Sequence, residues 1–219
     1  MTGHTQPPPV EVRLSSWSEL SDALFRGLAH SLSNRIGALM ALMHLAPGDL
    51  SVEERQFLAV EIDRLQEVNR ALKLLPADLH PRQEAVYPAD VMTDTLALIA
   101  VHPRAKELTF AVHEASEQPV RVERWALLRL ALIAVDTARE LTMARGGDRV
   151  DVHIVGDDEF VMLRAEPTGS NGSPRVDTST DSLADLAVRT GAVCNVSDSG
   201  VSVRIPALVE LRRRERELH

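Results

Sequence analysis

The sequence predicts an α+β protein in which a helical hairpin precedes an α/β sandwich. Three observations predict it. Apolar residues recur at helical spacing over two long segments separated by a short loop. A polar, proline-containing stretch then ends that pattern. Beyond it, helical and alternating strand-like segments follow one another, the pattern of helices packed on one face of a mixed sheet.

The first helix is predicted from Ser15 or Ser16, with Ser21, Leu24, Phe25, Leu28, Leu32, Ile36, Leu39 and Met43 on one face. "APGD" at 46–49 ends it. Ser51 followed by Glu54 is a capping box and opens a second helix. That helix carries Phe57, Leu58, Ile62, Leu65, Val68, Leu72 and Leu75, and Pro76 stops it. A loop this short makes the two helices antiparallel. One hairpin holds too little core to stand alone, so a second copy completing a dimeric four-helix bundle is expected.

Residues 77–88, "ADLHPRQEAVYP", are predicted as a linker. After it come a helix over 89–101, a strand over 108–114 and a helix over 123–143 that is apolar over most of its circumference. "RVDVHIVG" and "EFVMLRAEP" pair around "DD" at 157–158, and "TGSNGSPRVDTST" is a polar loop. "DSLADLAVRTG" is a helix with Gly191 in the C-cap position, and "AVCNVSDSGVSVRIPA" is a closing hairpin. The domain boundaries follow: a disordered tail over 1–14, the hairpin over 15–78, the α/β domain over 84–209, and a charged tail over 210–219 in which "RRRERE" continues a solvated helix.

Composition excludes several function classes. Aromatic residues make up 3% of the 219, too few for a base-stacking platform. The net charge of −8 argues against a phosphate-backbone binder, so no nucleic-acid partner is expected. Cys194 is the one cysteine, so no disulfide forms within the chain and a reducing, cytoplasmic setting is expected. No apolar run nears the ~20 residues of a membrane span, and "MTGHTQPPPV" lacks the features of a signal peptide.

His30 stands out within "GLAHSLSNRIGAL". On a helical wheel Ser21, Leu28, Leu32 and Leu39 lie opposite it, so His30 points away from the core. Around it on the outer face stand Ala23, Arg26, Gly27, Asn34, Gly37 and Ala41. Two glycines inside a helix cost about 1 kcal/mol each relative to alanine. A stripe of small residues beside an imidazole suits close approach by another protein surface. A solvated histidine with incidental glycines remains the other reading of the same spacing. Metal binding is not supported, since no carboxylate stands four residues after His30 and His44 lies fourteen residues on.

This layout resembles the catalytic core of bacterial sensor histidine kinases, a phosphotransfer hairpin followed by an ATPase-like domain, over roughly residues 16–208. "AHSLSNRIGAL" resembles the family's H-box, with His30 at the phosphoacceptor, Leu32 at the apolar position and Asn34 at the amide four residues on. Ser31 departs from it, because the family carries an acid there as general base. The N-box asparagines that bind Mg²⁺ and nucleotide are replaced by Ile133 and Thr137, with Asp136 beside the second. "PTGSNGSPRVDTST" stands where the D-x-G-x-G box should follow "FVMLRAE". With "LALIAVDTARELTMARGGDRVDVHIV", these departures resemble the dimeric histidine phosphotransferases of the ChpT type, whose ATPase-like domain no longer binds ATP.

The resemblance implies a phosphorelay protein that shuttles a phosphoryl group between receiver-domain aspartates through His30. It implies no cofactor of its own, the Mg²⁺ being the receiver's. Partners implied are a second copy, response-regulator receiver domains and a hybrid histidine kinase. Asn34 would contact the phosphoryl group or a water, and Ala23, Arg26, Gly27, Ser31, Ser33, Gly37 and Ala41 would face the receiver. Arg26 and Arg35 are docking or phosphate candidates, or solvated surface arginines. Two rival functions share the resemblance: a non-catalytic dimeric adaptor and a divergent sensor histidine kinase.

Overall fold

A serine hydroxyl ahead of a leucine- and alanine-rich segment starts a helix by satisfying its first N–H groups, and both helices of the hairpin begin this way. The computed structural model describes residues 11–13, 16–45, 50–75, 82–169, 174–177 and 181–217. A short strand, β1 (Glu11–Arg13), precedes helices α1 (Trp17–Leu45) and α2 (Val52–Leu74). At α2 the Glu54 N–H donates to the Ser51 hydroxyl at 3.1 Å, and the Ser51 N–H donates to the Glu54 carboxylate at 2.7 Å. The same reciprocal pair opens α1, where Ser16 and Glu19 exchange bonds of 3.1 and 3.2 Å. The helix stop over 46–49 and Pro76 lie outside the described residues.

Strand β2 (Gln83–Val86), helix α3 (Pro88–Ile99), a 3-10 turn (Ala105–Glu107), and strands β3 (Thr109–Glu114) and β4 (Val120–Glu123) lead into helix α4 (Arg124–Ala144). Then follow β5 (Arg149–Gly156), β6 (Phe160–Pro167), β7 (Arg175–Asp177), α5 (Asp181–Thr190), β8 (Val193–Ser197), β9 (Gly200–Pro206) and α6 (Leu208–Glu217). The main sheet runs β3-β5-β6-β9-β8, parallel between β3 and β5 and antiparallel elsewhere. Alternation sets its buried face: Val150, Val152 and Ile154 of β5, Val161, Leu163 and Ala165 of β6, and Val201, Val203 and Ile205 of β9. Helix α4 packs against that face and is buried over most of its circumference, as its continuous apolar pattern predicts. Gly191 closes α5 at a positive φ of 63°, a conformation glycine adopts without a side-chain clash.

Four expectations are corrected. Residues 11–13 are not tail: β1 pairs in parallel with β7 and lies against α4, with Val12 buried. β7 itself interrupts the expected polar loop. The expected linker already folds at Gln83–Val86, where β2 pairs antiparallel with β4, and a domain boundary at residue 84 would cut that strand. The charged end is a helix, α6, up to Glu217, as expected, but it is not solvated throughout: Glu210 is buried and takes Arg213 and Arg214 as partners. Short strands of three or four residues carry too little periodicity to separate them from loops.

One core joins the two parts. Leu20, Leu24 and Leu28 of α1 and Val68, Ala71 and Leu75 of α2 belong to the same apolar cluster as the helices and sheet of the α/β part. The Arg129 guanidinium of α4 also sits over the Trp17 ring at 4.8 Å. Among the described residues no helix is long and apolar enough to cross a membrane. Leu24→Ala should cost about 2–5 kcal/mol. Urea unfolding followed by both far-ultraviolet dichroism and tryptophan fluorescence should still give one coincident transition, since hairpin and α/β part share the core.

Candidate functional site

The single apolar face expected for α1 divides into two. Leu24 and Leu28 are buried, and Leu39 is half-buried. Phe25, Ile36, Met40 and Met43 are exposed, Met43 by 76%. From α2, Phe57, Val60 and Ile62 are also open to solvent. His30 is exposed on α1, together with Arg26, Ser33, Asn34, Gly37 and Ala41, while Ala23 and Ser31 are half-buried.

Asn34, one turn beyond His30, approaches it at 3.0 Å between Nδ2 and the imidazole Nε2. An amide nitrogen can only donate, so Nε2 accepts and holds its lone pair while the ring proton sits on Nδ1. The nitrogen with the lone pair is therefore the one facing outward with Asn34. Ser31 supplies no carboxylate to the other side of the ring.

Gly27 is the correction in this set. It is buried, and not part of the open face around His30. A Cβ placed there would stand 1.8 Å from the carbonyl oxygen of Val101 and 3.5 Å from Pro103 Cδ. Its lack of a side chain serves the seating of α1 on the end of α3. At Gly37, by contrast, an added Cβ would meet nothing within 4 Å, so that glycine does leave open space beside His30.

Arg35 is committed within the hairpin. Its Nη1 donates to both oxygens of Glu61 at 3.1 and 3.2 Å, and Arg64 Nη1 donates to Glu61 Oε1 at 2.6 Å. Glu61 is 2% exposed. Burial pushes its pKa up, but the hydrogen bonds and charges of Arg64 and Arg35 outweigh that and hold the carboxyl below its ordinary value. Sequence reasoning missed Glu61 because it lies among apolar positions of α2. The signal was its spacing of three from Arg64. Arg26 remains an exposed arginine, bonded through Nε to the Asp22 carbonyl at 3.4 Å. Between the hairpin and α3 opens a cleft of about 590 Å³ lined by Ser31, Arg35, Arg64, Val68, Ala97 and Val101 among others.

The second place to inspect is α4. Ile133 and Thr137 are buried, and the Thr137 hydroxyl donates to the Ile133 carbonyl at 2.7 Å. Asp136 and Arg139 are both buried and paired, Arg139 Nε donating to Asp136 Oδ1 at 2.8 Å. Arg139 also reaches Glu140 at 2.6 Å, and Arg104 stands 3.7 Å from Glu140. Beside them His102 is buried, and burial followed by the Arg139 charge lowers its pKa, against opposing pulls from Asp136 and Glu140. These polar groups answer one another across the interior. Among the described residues no group of three or more His, Cys, Asp or Glu is arranged to hold a metal ion.

No family model matches the chain, and neither does any curated protein. Solved structures do. The Acinetobacter baumannii histidine kinase AdeS is 12% identical over 84% of this chain and 97% of that one, with a TM-score of 0.45. A structure titled as a bacterial phosphotransferase is 13% identical over 87% of this chain and 97% of its own, with a TM-score of 0.41. The ATP-binding domain of PrrB from Mycobacterium tuberculosis is 16% identical over 57% of this chain and 97% of that one, at 0.42. These are general likenesses at TM-scores below 0.5, and the functional reading rests on this chain's own residues.

Glu61 has a lower pKa folded than unfolded, so its contribution to stability is complete above the unfolded value and is lost as pH falls through the folded one. Glu61→Gln should therefore be less stable than the native chain at pH 7. The difference in urea midpoint should shrink steadily below the ordinary carboxylate value of 4.5.

Proposed function

We propose that this chain is a phosphorelay histidine phosphotransferase that uses His30 and binds no ATP. The observation that carries the proposal is the pairing of an exposed His30 with Asn34, which makes Nε2 the acceptor nitrogen, engaged by an exposed amide that can give it up. Neutral imidazole is a competent nucleophile near pH 7. In the forward step Nε2 attacks the phosphorus of a receiver's aspartyl phosphate. The N–P bond forms, the acyl P–O bond breaks, and the aspartate leaves as a carboxylate. A second receiver's aspartate then attacks the phosphorus, the N–P bond breaks, and the imidazole is restored. Charge neutralisation in both steps comes from the receiver, including its Mg²⁺, so this chain supplies the nucleophile and its placement. Asn34 releases Nε2 as the phosphoryl group arrives and can then donate to a phosphoryl oxygen.

Three features favour relay over autophosphorylation. Ser31 offers no base beside the ring. The positions that the resemblance assigns to nucleotide and Mg²⁺, Ile133 and Thr137, are buried in the core. Residues 175–177, within the stretch that stands in place of the nucleotide box, pair with β1, which lies against α4. A homodimer is part of the proposal: the exposed row of Phe25, Ile36, Met40 and Met43 on α1 is the apolar face a second hairpin would bury. Receiver domains and a hybrid histidine kinase remain its proposed partners, in the cytoplasm. A non-catalytic adaptor would share that face but would not need His30.

The test is phosphotransfer from a phosphorylated receiver domain. The native chain should acquire an acid-labile phosphoryl group, and His30→Gln should acquire none while sedimenting as the same oligomer. A labelled His30→Gln chain would overturn the reading. Incubation with labelled ATP should label neither chain, and labelling of the native one would restore the kinase.

A further inference from the structure

We infer that Gly27 is a positioning residue for the proposed relay, the joint that fixes the α/β part beside His30. This rests on the relay reading for its functional consequence, but its geometry stands alone. Gly27 is buried in the seam where α1 meets the end of α3. Any Cβ at this position would fall 1.8 Å from the Val101 oxygen and 2.9 Å from the Val101 carbonyl carbon, against ordinary contacts beyond 3.4 Å. Both obstructing atoms are backbone, so no rotamer change relieves them. The N–H of the same peptide, on His102, donates to the Ile99 carbonyl at 2.9 Å, which holds the obstructing carbonyl in the turn that follows α3.

His30 stands one turn along the same helix. Its neighbour Ser31 and the blocking residue Val101 line the same cleft, so the loop after α3 stands beside the residue that follows His30. On this inference a receiver docked at His30 also meets that loop. Seating α1 on the Val101 carbonyl sets how closely the loop stands, and with it the route to the imidazole. The shared core around Leu24 and the Trp17–Arg129 contact hold the same seam from the N-terminal side, so Gly27 controls its upper edge, next to the reacting group.

The experiment compares Gly27→Ala with Ser18→Ala, at an exposed position of α1 far from His30. Both put alanine into α1 and gain helix propensity, but only the first adds a Cβ that meets an obstacle. Two donors are used: phosphoramidate, which needs no docking, and a phosphorylated receiver domain that labels the native chain. Gly27→Ala should keep phosphoramidate labelling of His30 within about twofold and raise the KM for the receiver about tenfold or more, as a misplacement near 1 Å does. Ser18→Ala should match the native chain with both donors.

In parallel, spin labels at Asp63→Cys on α2 and Asn195→Cys on β8, with Cys194→Ala, should show a changed distance for Gly27→Ala only. An unchanged distance with an unchanged receiver KM overturns the inference. Equal losses with both donors also overturn it, because the effect is then on His30 itself or on folding. If Gly27→Ala does not fold, Gly27→Ala with Pro103→Gly, which loosens the obstructing loop, is measured instead. A folded double variant with native distance and KM would likewise overturn it. Should no receiver label the native chain, the relay reading fails while the label distances still decide the joint.

Discussion

Burial of the hairpin's base in the core of the α/β part is the constraint on which the other features depend. Leu20, Leu24 and Leu28 enter the same cluster as Val91, Leu98, Leu127 and Leu130. Two helices alone would expose that surface on one side, and α4 would expose its own on the other. Joining them removes both from water, the dominant favourable term in folding. The position of His30 follows. It is exposed because it lies opposite the buried stripe, and close to the seam because the stripe is buried only over the first turns of α1.

Among the described residues the buried carboxylates are paired within the chain, although Arg35 Nε is left without a hydrogen-bond partner. Glu61 is closed by Arg35 and Arg64, Asp136 by Arg139, and Glu210 by Arg213 and Arg214. Replacing one partner of such a cluster leaves a charge without compensation, a heavier cost than the cluster's net contribution to stability. This explains why α4 can carry Asp136 and Arg139 in a nearly dry interior. It also separates them from His30, whose hydrogen-bond partner Asn34 is a neutral amide on an exposed surface.

Long elements were legible in the sequence and short ones were not. Helices α1 to α5 and strands β3, β5, β6, β8 and β9 carry enough residues for their periodicity to show, and the Ser51–Glu54 cap marks a start within one residue. β1, β2, β4 and β7 have three or four residues each, and their partners lie far away in the chain. Position on the helix wheel gave the exposure of His30, Asn34 and Gly37 correctly. It failed at Gly27, because a wheel knows only one helix and the obstructing atom belongs to another. The same limit hid the commitment of Arg35, whose partner Glu61 is on the opposite arm of the hairpin.

The parallel pairing of Glu11–Arg13 with Arg175–Asp177 has a consequence for the order of events during synthesis. Residue 11 is made before its partner, which follows α1 to α4 and β2 to β6 in the chain. Local hairpin contacts form quickly, whereas this pairing must first overcome the entropy of closing the long loop between Arg13 and Arg175. The ribbon is therefore a late event, able to form only once the sheet and α4 present a surface to fold onto. Until then the start of α1 is held by Trp17 and its leucines, and β1 is a clasp that closes late over α4.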